Sequence, residues 1–441
     1  MGYSISKDFK FSSLLAFAMP SVVMMVFSSL YAIVDGVFLA RLVGSDALSA
    51  SNIVFPVITV IIAVAVMLGS GGSAVIARRM GQGKSDSARQ GFTLIVVSGI
   101  AFGLVVMAVG LIWIRPIVMA LGATERLIED AITYIAILLI FGPLYVLQLI
   151  FQVFFVTEGK PDIGLAVTIV GGVANAILDY VFMGPMKMGI AGAALATGIG
   201  QAIPAIVGLV YFTFHRKNLY FVKFKLDLAL LKESCFNGSS EMVSNMATSV
   251  VTFLFNIIML KLRGEEGVAA ITIALYGQFL FNSLYLGYSM GVAPVISFNY
   301  GRQNKTLLKR IVKICLIFFA ISSIAITTIS LAGNDIVVEV FAPKGTLTFD
   351  IASKGCFMFA LNFLFSGINI FASSMFTALS NGKISAMISF LRTFVFLVVS
   401  ILLMPYLIGE AGVWLSVPIA EALTSIISIS MIRKYKKQYG Y

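Results

Sequence analysis

Residues 267–301 read GVAAITIALYGQFLFNSLYLGYSMGVAPVISFNYG, 35 positions without one Asp, Glu, Lys or Arg. A helix crosses the hydrocarbon core of a bilayer in roughly 20 apolar residues, so this stretch alone exceeds a crossing. Four further runs have the same character: Ala47–Ala77, Gln90–Ile114, Ala131–Thr157 and Met188–Phe214. Of the 441 residues, 59% are apolar and 12% charged, against about 45–50% and about 25% in soluble domains. That composition excludes a water-soluble fold. The runs are too long, and too poor in alternation, for the ~10-residue strands of a membrane barrel. An all-α polytopic membrane protein follows. Twelve transmembrane helices are expected near 14–39, 52–77, 92–114, 131–156, 163–184, 190–213, 237–260, 269–297, 312–333, 353–377, 384–405 and 412–432.

The net charge is +11, and its distribution explains it better than nucleic acid does. With the N-terminus in the cytoplasm, 22 Lys and Arg fall on the inner side and eight on the outer, with Arg392 inside a span. Such alternating bias orients a multi-pass protein, here with both termini cytoplasmic in a cell membrane. Partners are then small organic molecules and the lipid bilayer, with no nucleic acid, and a monomer is expected. Cys235, Cys315 and Cys356 have unrelated spacings and imply neither a disulfide framework nor a metal site. The first apolar run has no convincing cleavage site and is kept as the first helix.

An internal repeat organises the chain. Gly81, Gly44 and Gly189 correspond to Gly301, Gly264 and Gly409, each pair 220 residues apart at matching helix ends. Six helices plus six follow, a parallel repeat about an axis along the membrane normal. The expected units are an N-lobe at 1–214, a cytoplasmic connector at 215–234 and a C-lobe at 235–441 with a basic tail. The connector's LeuTyrPheValLysPheLysLeuAspLeu run suggests a segment lying on the membrane interface.

Four carboxylates fall within spans: Asp35, Asp179, Glu241 and Glu421. An ionised acid at a helix centre costs about 2.5–3.5 kcal/mol on insertion scales, so each requires a polar cavity, a partner or a cation. The repeat aligns Asp35 with Phe255 and Asp179 with Val399, so the second half lacks both acids. Like-charge repulsion and desolvation tune such a pair to take up a proton or sodium ion near neutral pH. Asn175 precedes Asp179 by one turn on the same face, and Thr197 on the next helix reaches the same cavity. The oxygen set Asp35, Asn175, Asp179 and Thr197 suits a sodium ion as a hard cation and serves a proton equally. No other metal and no cofactor is expected. Pro20 breaks a backbone hydrogen bond fifteen residues before Asp35 and offers a hinge. Tyr31, Tyr134, Gln148 and Gln152 are candidates for the cavity lining. Glu241 and Glu421 form a candidate second site, Glu241 being readable instead as an acid at a helix N-terminus. Arg392 either neutralises one of these acids or snorkels to the surface.

These residues resemble a known family. Pro20 with Asp35, ArgMetGlyGlnGly at Arg79 to Gly83, GluGlyLysPro at 158–161, Asn175-Ala-Ile-Leu-Asp179, and Gly192-Ala-Ala-Leu-Ala-Thr197 with Gln201 are together similar to MATE (multidrug and toxic compound extrusion) transporters, in their DinF-like or MepA-like branch. The resemblance covers nearly the whole chain. It implies a V-shaped pair of six-helix lobes and a secondary active antiporter. Such a protein is no enzyme; it exports organic, cationic amphipathic drugs or toxic compounds as H+ or Na+ enters. Family roles carry over to Pro20, Tyr31, Asp35, Tyr134, Asn175, Asp179 and Thr197. Glu241 is similar to a C-lobe acid of some members, while Asn369 stands where a second acid would be expected. The alternative is a lipid-linked oligosaccharide flippase of the same architecture, which would present several arginines to its cavity. A membrane-embedded transferase fits poorly, because the single His215 lies in a loop.

Overall fold

A computed structural model describes residues 5–441, and among them every regular element is helical. The helices are α1 (Phe11–Phe38), α2 (Ser45–Gly81), α3 (Ser85–Ile112), α4 (Ile114–Ala120), α5 (Ile128–Thr157), α6 (Pro161–Met183) and α7 (Gly189–Phe214). An extended connector leads to α8 (Leu228–Gly301), α9 (Lys305–Ala332), α10 (Asn334–Phe341), α11 (Leu347–Phe359), α12 (Phe363–Ala378), α13 (Gly382–Phe390), α14 (Leu397–Ile408) and α15 (Glu410–Tyr439). Helix starts follow local chemistry. Asp227, Asn304, Thr346 and Asn381 each accept a hydrogen bond from the backbone N–H three residues on, satisfying donors that a helix start leaves orphaned. Pro161 opens α6, where its missing N–H costs nothing.

Among the described residues, eleven helical stretches are long and apolar enough to cross a membrane. One of them, α8, has 74 residues, which at 1.5 Å per residue would extend about 110 Å, far beyond a bilayer. It is two crossings in one run, because the chain reverses at Gly264 (φ 65°, ψ −153°), a conformation open essentially to glycine. The expected count of twelve crossings is thereby reached. Two short helices, α4 and α10, lie in stretches expected to be loops, and they too stand 220 residues apart.

The connector differs in detail from expectation. It is extended, and α8 begins at Leu228, so Glu241 sits more than three turns inside α8. The reading of Glu241 as an acid at a helix N-terminus is therefore corrected.

Two of the three apolar cores lie mainly within one half of the repeat, the first also taking in Leu219 of the connector and Leu230 at the start of α8. One draws on residues between Leu39 and Leu230, another on residues between Val251 and Val417. The third joins Ile5, Phe9, Leu14, Phe17, Ala18 and Val22 to residues from Tyr285 to Tyr441. The first turns of α1 are thus built into the second half.

The inner helices α1, α2 and α8 meet near the basic face, which carries residues 82–84, 215–227 and 302–304, and the seam obeys the repeat. A Cβ placed on Gly81 would lie 2.0 Å from the Phe298 carbonyl oxygen, and one on Gly301 would lie 2.1 Å from that of Arg78. Residues 81 and 301, and 78 and 298, are repeat partners. One level deeper, Gly71 abuts Ser234 and Gly238, while its partner Gly291 abuts Ala18, the partner of Gly238. Ion pairs Arg78–Glu233 (2.8 Å) and Arg79–Asp227 (3.6 Å) tie α2 to α8 and the residue before it at this face. Toward the other face the positions are open: a Cβ on Gly36 of α1 or Gly277 of α8 would meet nothing within 4 Å.

Candidate functional site

Asp35 lies on α1 just before the helix loosens into a π turn at Leu39–Val43, where the Leu39 N–H bonds to the Asp35 and Gly36 carbonyls. Single π turns recur at functional sites because they re-aim the side chains beside them. Asp179 lies near the end of α6 and is fully buried. The Asp35 and Asp179 carboxyls are close enough to interact electrostatically. Yet Asp35 Oδ1 and both Asp179 oxygens are buried without a hydrogen-bond donor. Ionised carboxylates only accept. Two such charges close together in a low-dielectric interior repel one another unless they share a proton or a cation, and no Lys or Arg of the described residues forms an ion pair with either.

The surrounding side chains share this deficit. Asn175 Nδ2, Thr197 Oγ1 and Gln148 Oε1 are likewise buried and unpartnered, although buried polar atoms in folded proteins nearly always find partners. Asn175, Thr197 and Gln148 line a cavity of about 10 Å³ together with Tyr31, Thr168, Gly171, Gly172, Gly200, Gln201 and Pro204. Such a volume holds about one water molecule or a small cation and no organic cargo. Gln152 reaches the cavity's rim by donating to Thr168 Oγ1 at 3.4 Å. Tyr134 is buried on α5 within electrostatic reach of both Asp35 and Asp179.

The structure thus brings together Tyr31, Asp35, Tyr134, Gln148, Gln152, Asn175, Asp179 and Thr197 from α1, α5, α6 and α7. Pro20 sits apart, about 22 Å down α1, beside the seam where Ser21 and Val22 meet Gly287. Sequence reasoning missed Gly171, Gly172 and Gly200. The glycines let α6 and α7 close up: a Cβ on Gly200 would lie 2.7 Å from Asn175 Cβ. The signal for Gly171 and Gly172 was present, since both precede Asn175 by one turn on its own face.

The second half is arranged differently. Arg392 Nε and a terminal guanidinium nitrogen both donate to Glu421 Oε1, at 2.8 and 2.7 Å. Asn369 Nδ2 donates to Glu421 Oε2 at 2.7 Å, and Ser428 Oγ donates to Asn369 Oδ1 at 2.8 Å. Arg392 therefore neutralises Glu421, one of the two outcomes open from sequence. Glu241 lies within electrostatic reach of Arg392 and is not joined to this network.

Glu158, between α5 and α6, is a further buried acid, 4% exposed. Its Oε1 and Oε2 accept from the backbone N–H groups of Asn218 and Leu219 at 3.2 and 2.7 Å, pinning the connector to the first half. Burial pushes its carboxyl up to about 7, against the opposing pull of these two hydrogen bonds, Lys160 and Lys217.

Comparison with known proteins identifies the family and the fold. The profile of the MatE family matches residues 20–181 and again residues 242–402, a duplication close to the 220-residue repeat. Multidrug export protein MepA of Staphylococcus aureus (strain MRSA252) is 24% identical over 451 residues, spanning 98% of this chain and 95% of the relative. The protein of the same name from Staphylococcus haemolyticus (strain JCSC1435) is 23% identical, spanning 96% and 93%. Among solved structures, MATE in complex with MaL6 superposes with a TM-score of 0.90 at 22% identity, covering 97% of this chain and 96% of that one. The outward-facing conformation of a multidrug resistance MATE family transporter of the MOP superfamily gives 0.91 at 21% identity, with 98% and 97% covered.

Proposed function

Because the chain belongs to the MatE family, and is accordingly a multidrug efflux transporter and not an enzyme, we propose that it is a secondary active antiporter. It expels organic, cationic amphipathic compounds in exchange for H+ or Na+, coupled through Asp35 and Asp179 in the first half. The observation that supports this reading is the pair of neighbouring acids whose Asp35 Oδ1 and Asp179 oxygens are buried without a donor, one helical turn from Tyr31 and Asn175, which line a cavity of about 10 Å³ that the acids themselves do not line. Asn175 and Thr197 supply the remaining oxygens for the coupling ion. When the ion leaves, repulsion between the two acids favours separation of α1 from α6. Pro20 is the point at which such a displacement reaches the seam, since α1 there lacks one backbone hydrogen bond. Glu241, without a neutralising partner of its own, is the C-lobe group for a cationic cargo.

The basic face is cytoplasmic in this reading, with both termini inside a cell membrane, and the protein acts as a monomer. The N-lobe is 1–214, the connector 215–234 and the C-lobe 235–441. The flippase alternative is disfavoured by Arg392, whose charge is spent on Glu421 and so is not offered to a pyrophosphate.

The test is dye efflux from proteoliposomes under an imposed pH gradient or an imposed sodium gradient. One of the two gradients drives ethidium export by the wild type. Asp35→Asn abolishes that export although the protein inserts normally. Export by Asp35→Asn at the wild-type rate removes the acid pair from coupling.

A further inference from the structure

In the first half, Gly172 on α6 and Gln201 on α7 line the small cavity beside Thr197. The residues 220 further on are Arg392 and Glu421. Where one half of the repeat keeps a cavity, the other holds a partly buried guanidinium clamped on a buried carboxylate, with side-chain exposures of 16% and 5%. The positions around it have lost their ion ligands as well: Asp35, Asn175, Asp179 and Thr197 correspond to Phe255, Val395, Val399 and Val417.

The clamp offsets the charge of Glu421 and fills about three of its four lone-pair sites. Its Oε1 takes two guanidinium hydrogens and its Oε2 takes the Asn369 amide, itself fixed by Ser428. Arg392 is delivered there by a π turn, Leu391–Phe396, between α13 and α14. Of the other polar groups nearby, Tyr285 spends its hydroxyl on the Phe363 carbonyl, and Glu241 reaches Arg392 only through space. A buried ion pair gains little over well-packed apolar side chains, so packing alone gives no reason for an arginine at the place of a glycine.

We propose that Arg392 is a tethered cation standing where the first half admits a mobile one: it closes the second half to the coupling ion, and Glu421 becomes a site for a free monovalent cation once the guanidinium is removed. The functional meaning rests on the reading of Asp35 and Asp179 as the coupling pair, but the test does not. Arg392→Ala empties the position of Gly172's partner, and Arg392→Gln keeps most of its volume without its charge.

Thermal unfolding of the purified full chain is followed while guanidinium chloride or sodium chloride, in the low millimolar range, replaces choline chloride at constant ionic strength. The expected result is a saturable upward shift in melting temperature for Arg392→Ala with guanidinium, the probe that reproduces the missing head group. Wild type and Arg392→Ala/Glu421→Gln show no such shift. An Arg392→Ala protein that survives purification only in guanidinium counts as the same result. If it survives in neither salt, the same titration of Arg392→Gln with sodium decides. The proposal is overturned if neither variant responds saturably, or if the response persists after Glu421→Gln. Failure of Asp35→Asn to impair dye export would sink the coupling assignment and leave this titration unaffected.

Discussion

Replacing Gly81 by alanine places a methyl group 2.0 Å from the Phe298 carbonyl oxygen, 2.9 Å from its carbon and 3.0 Å from the Arg302 nitrogen. Non-bonded carbon and oxygen atoms keep roughly 3.0–3.5 Å apart, so α2 and α8 must separate by about 1 Å or more at this crossing. The obstructing atoms are backbone, so no rotamer change relieves the clash. Overpacking of this kind costs about 1–3 kcal/mol. In a transporter that alternates between closure at the basic face and closure at the other, the cost falls only on the state in which the seam is shut. The equilibrium then moves toward opening at the basic face by about 5- to 150-fold. The measurement is the distance between spin labels at Ser85 and Lys305, which start α3 and α9 on that face, in a background lacking the three native cysteines. Gly81→Ala and its repeat counterpart Gly301→Ala should both shift the distribution to longer distances. Gly36→Ala, whose Cβ meets nothing within 4 Å, should leave it unchanged. A distribution that stays at the wild-type distance in both seam variants would refute the argument, because the helices would then be yielding somewhere other than at their contact.

Further outcomes follow from particular residues. Gly200→Ala puts a methyl 2.7 Å from Asn175 Cβ and 3.0 Å from the Gly171 carbonyl oxygen, so dye export should fall at least about fivefold at unchanged expression; wild-type export would show that the α6–α7 spacing is not critical. Loss of Arg392 leaves Glu421 buried and uncompensated, and without an added cation Arg392→Ala should lose about 3–5 kcal/mol of stability, read from denaturation midpoints. The fold favours the protonated form of Glu158, whose carboxyl rises from 4.5 to about 7. Its contribution is thus fully present below about pH 4.5 and lost as the pH climbs through 7. Melting temperature in wild type should decline over that window, and Glu158→Gln should flatten the decline; parallel slopes for the two proteins would clear Glu158 of the effect.

The architecture was legible because burial in lipid leaves a compositional imprint that needs no partner to be read: an uncharged run such as 267–301 has one interpretation. The repeat was legible for a related reason, since Gly44 and Gly264, like Gly81 and Gly301, answer local demands of turn and contact that both halves share. Asp35 and Asp179 stood out because a carboxylate in an apolar span is costly. What the chain did not disclose is what depends on pairing across helices. Arg392 was visible as a charge in a span, but the choice of Glu421 over Glu241 depends on how a π turn rotates the side chain, and no residue pattern announces such a turn. Gly171 and Gly172 were overlooked although they precede Asn175 by one turn, and Gly200 was hidden, because glycine is common in membrane helices and only the neighbouring backbone shows which ones a close approach requires. Glu158 was quoted as part of a short motif, while its two partners lie some sixty residues away on an extended connector.

The reciprocal glycine contacts between the halves carry a consequence beyond transport. Each half presents both members of the contact, a glycine that is approached and a carbonyl that approaches, so its inner surface is complementary to a copy of itself. Such self-matching is the defining property of an isologous interface. A half expressed alone would already possess the surface needed to form a two-fold homodimer, and joining the halves through the connector leaves them free to differ at matching positions, as Gly172 and Arg392 do.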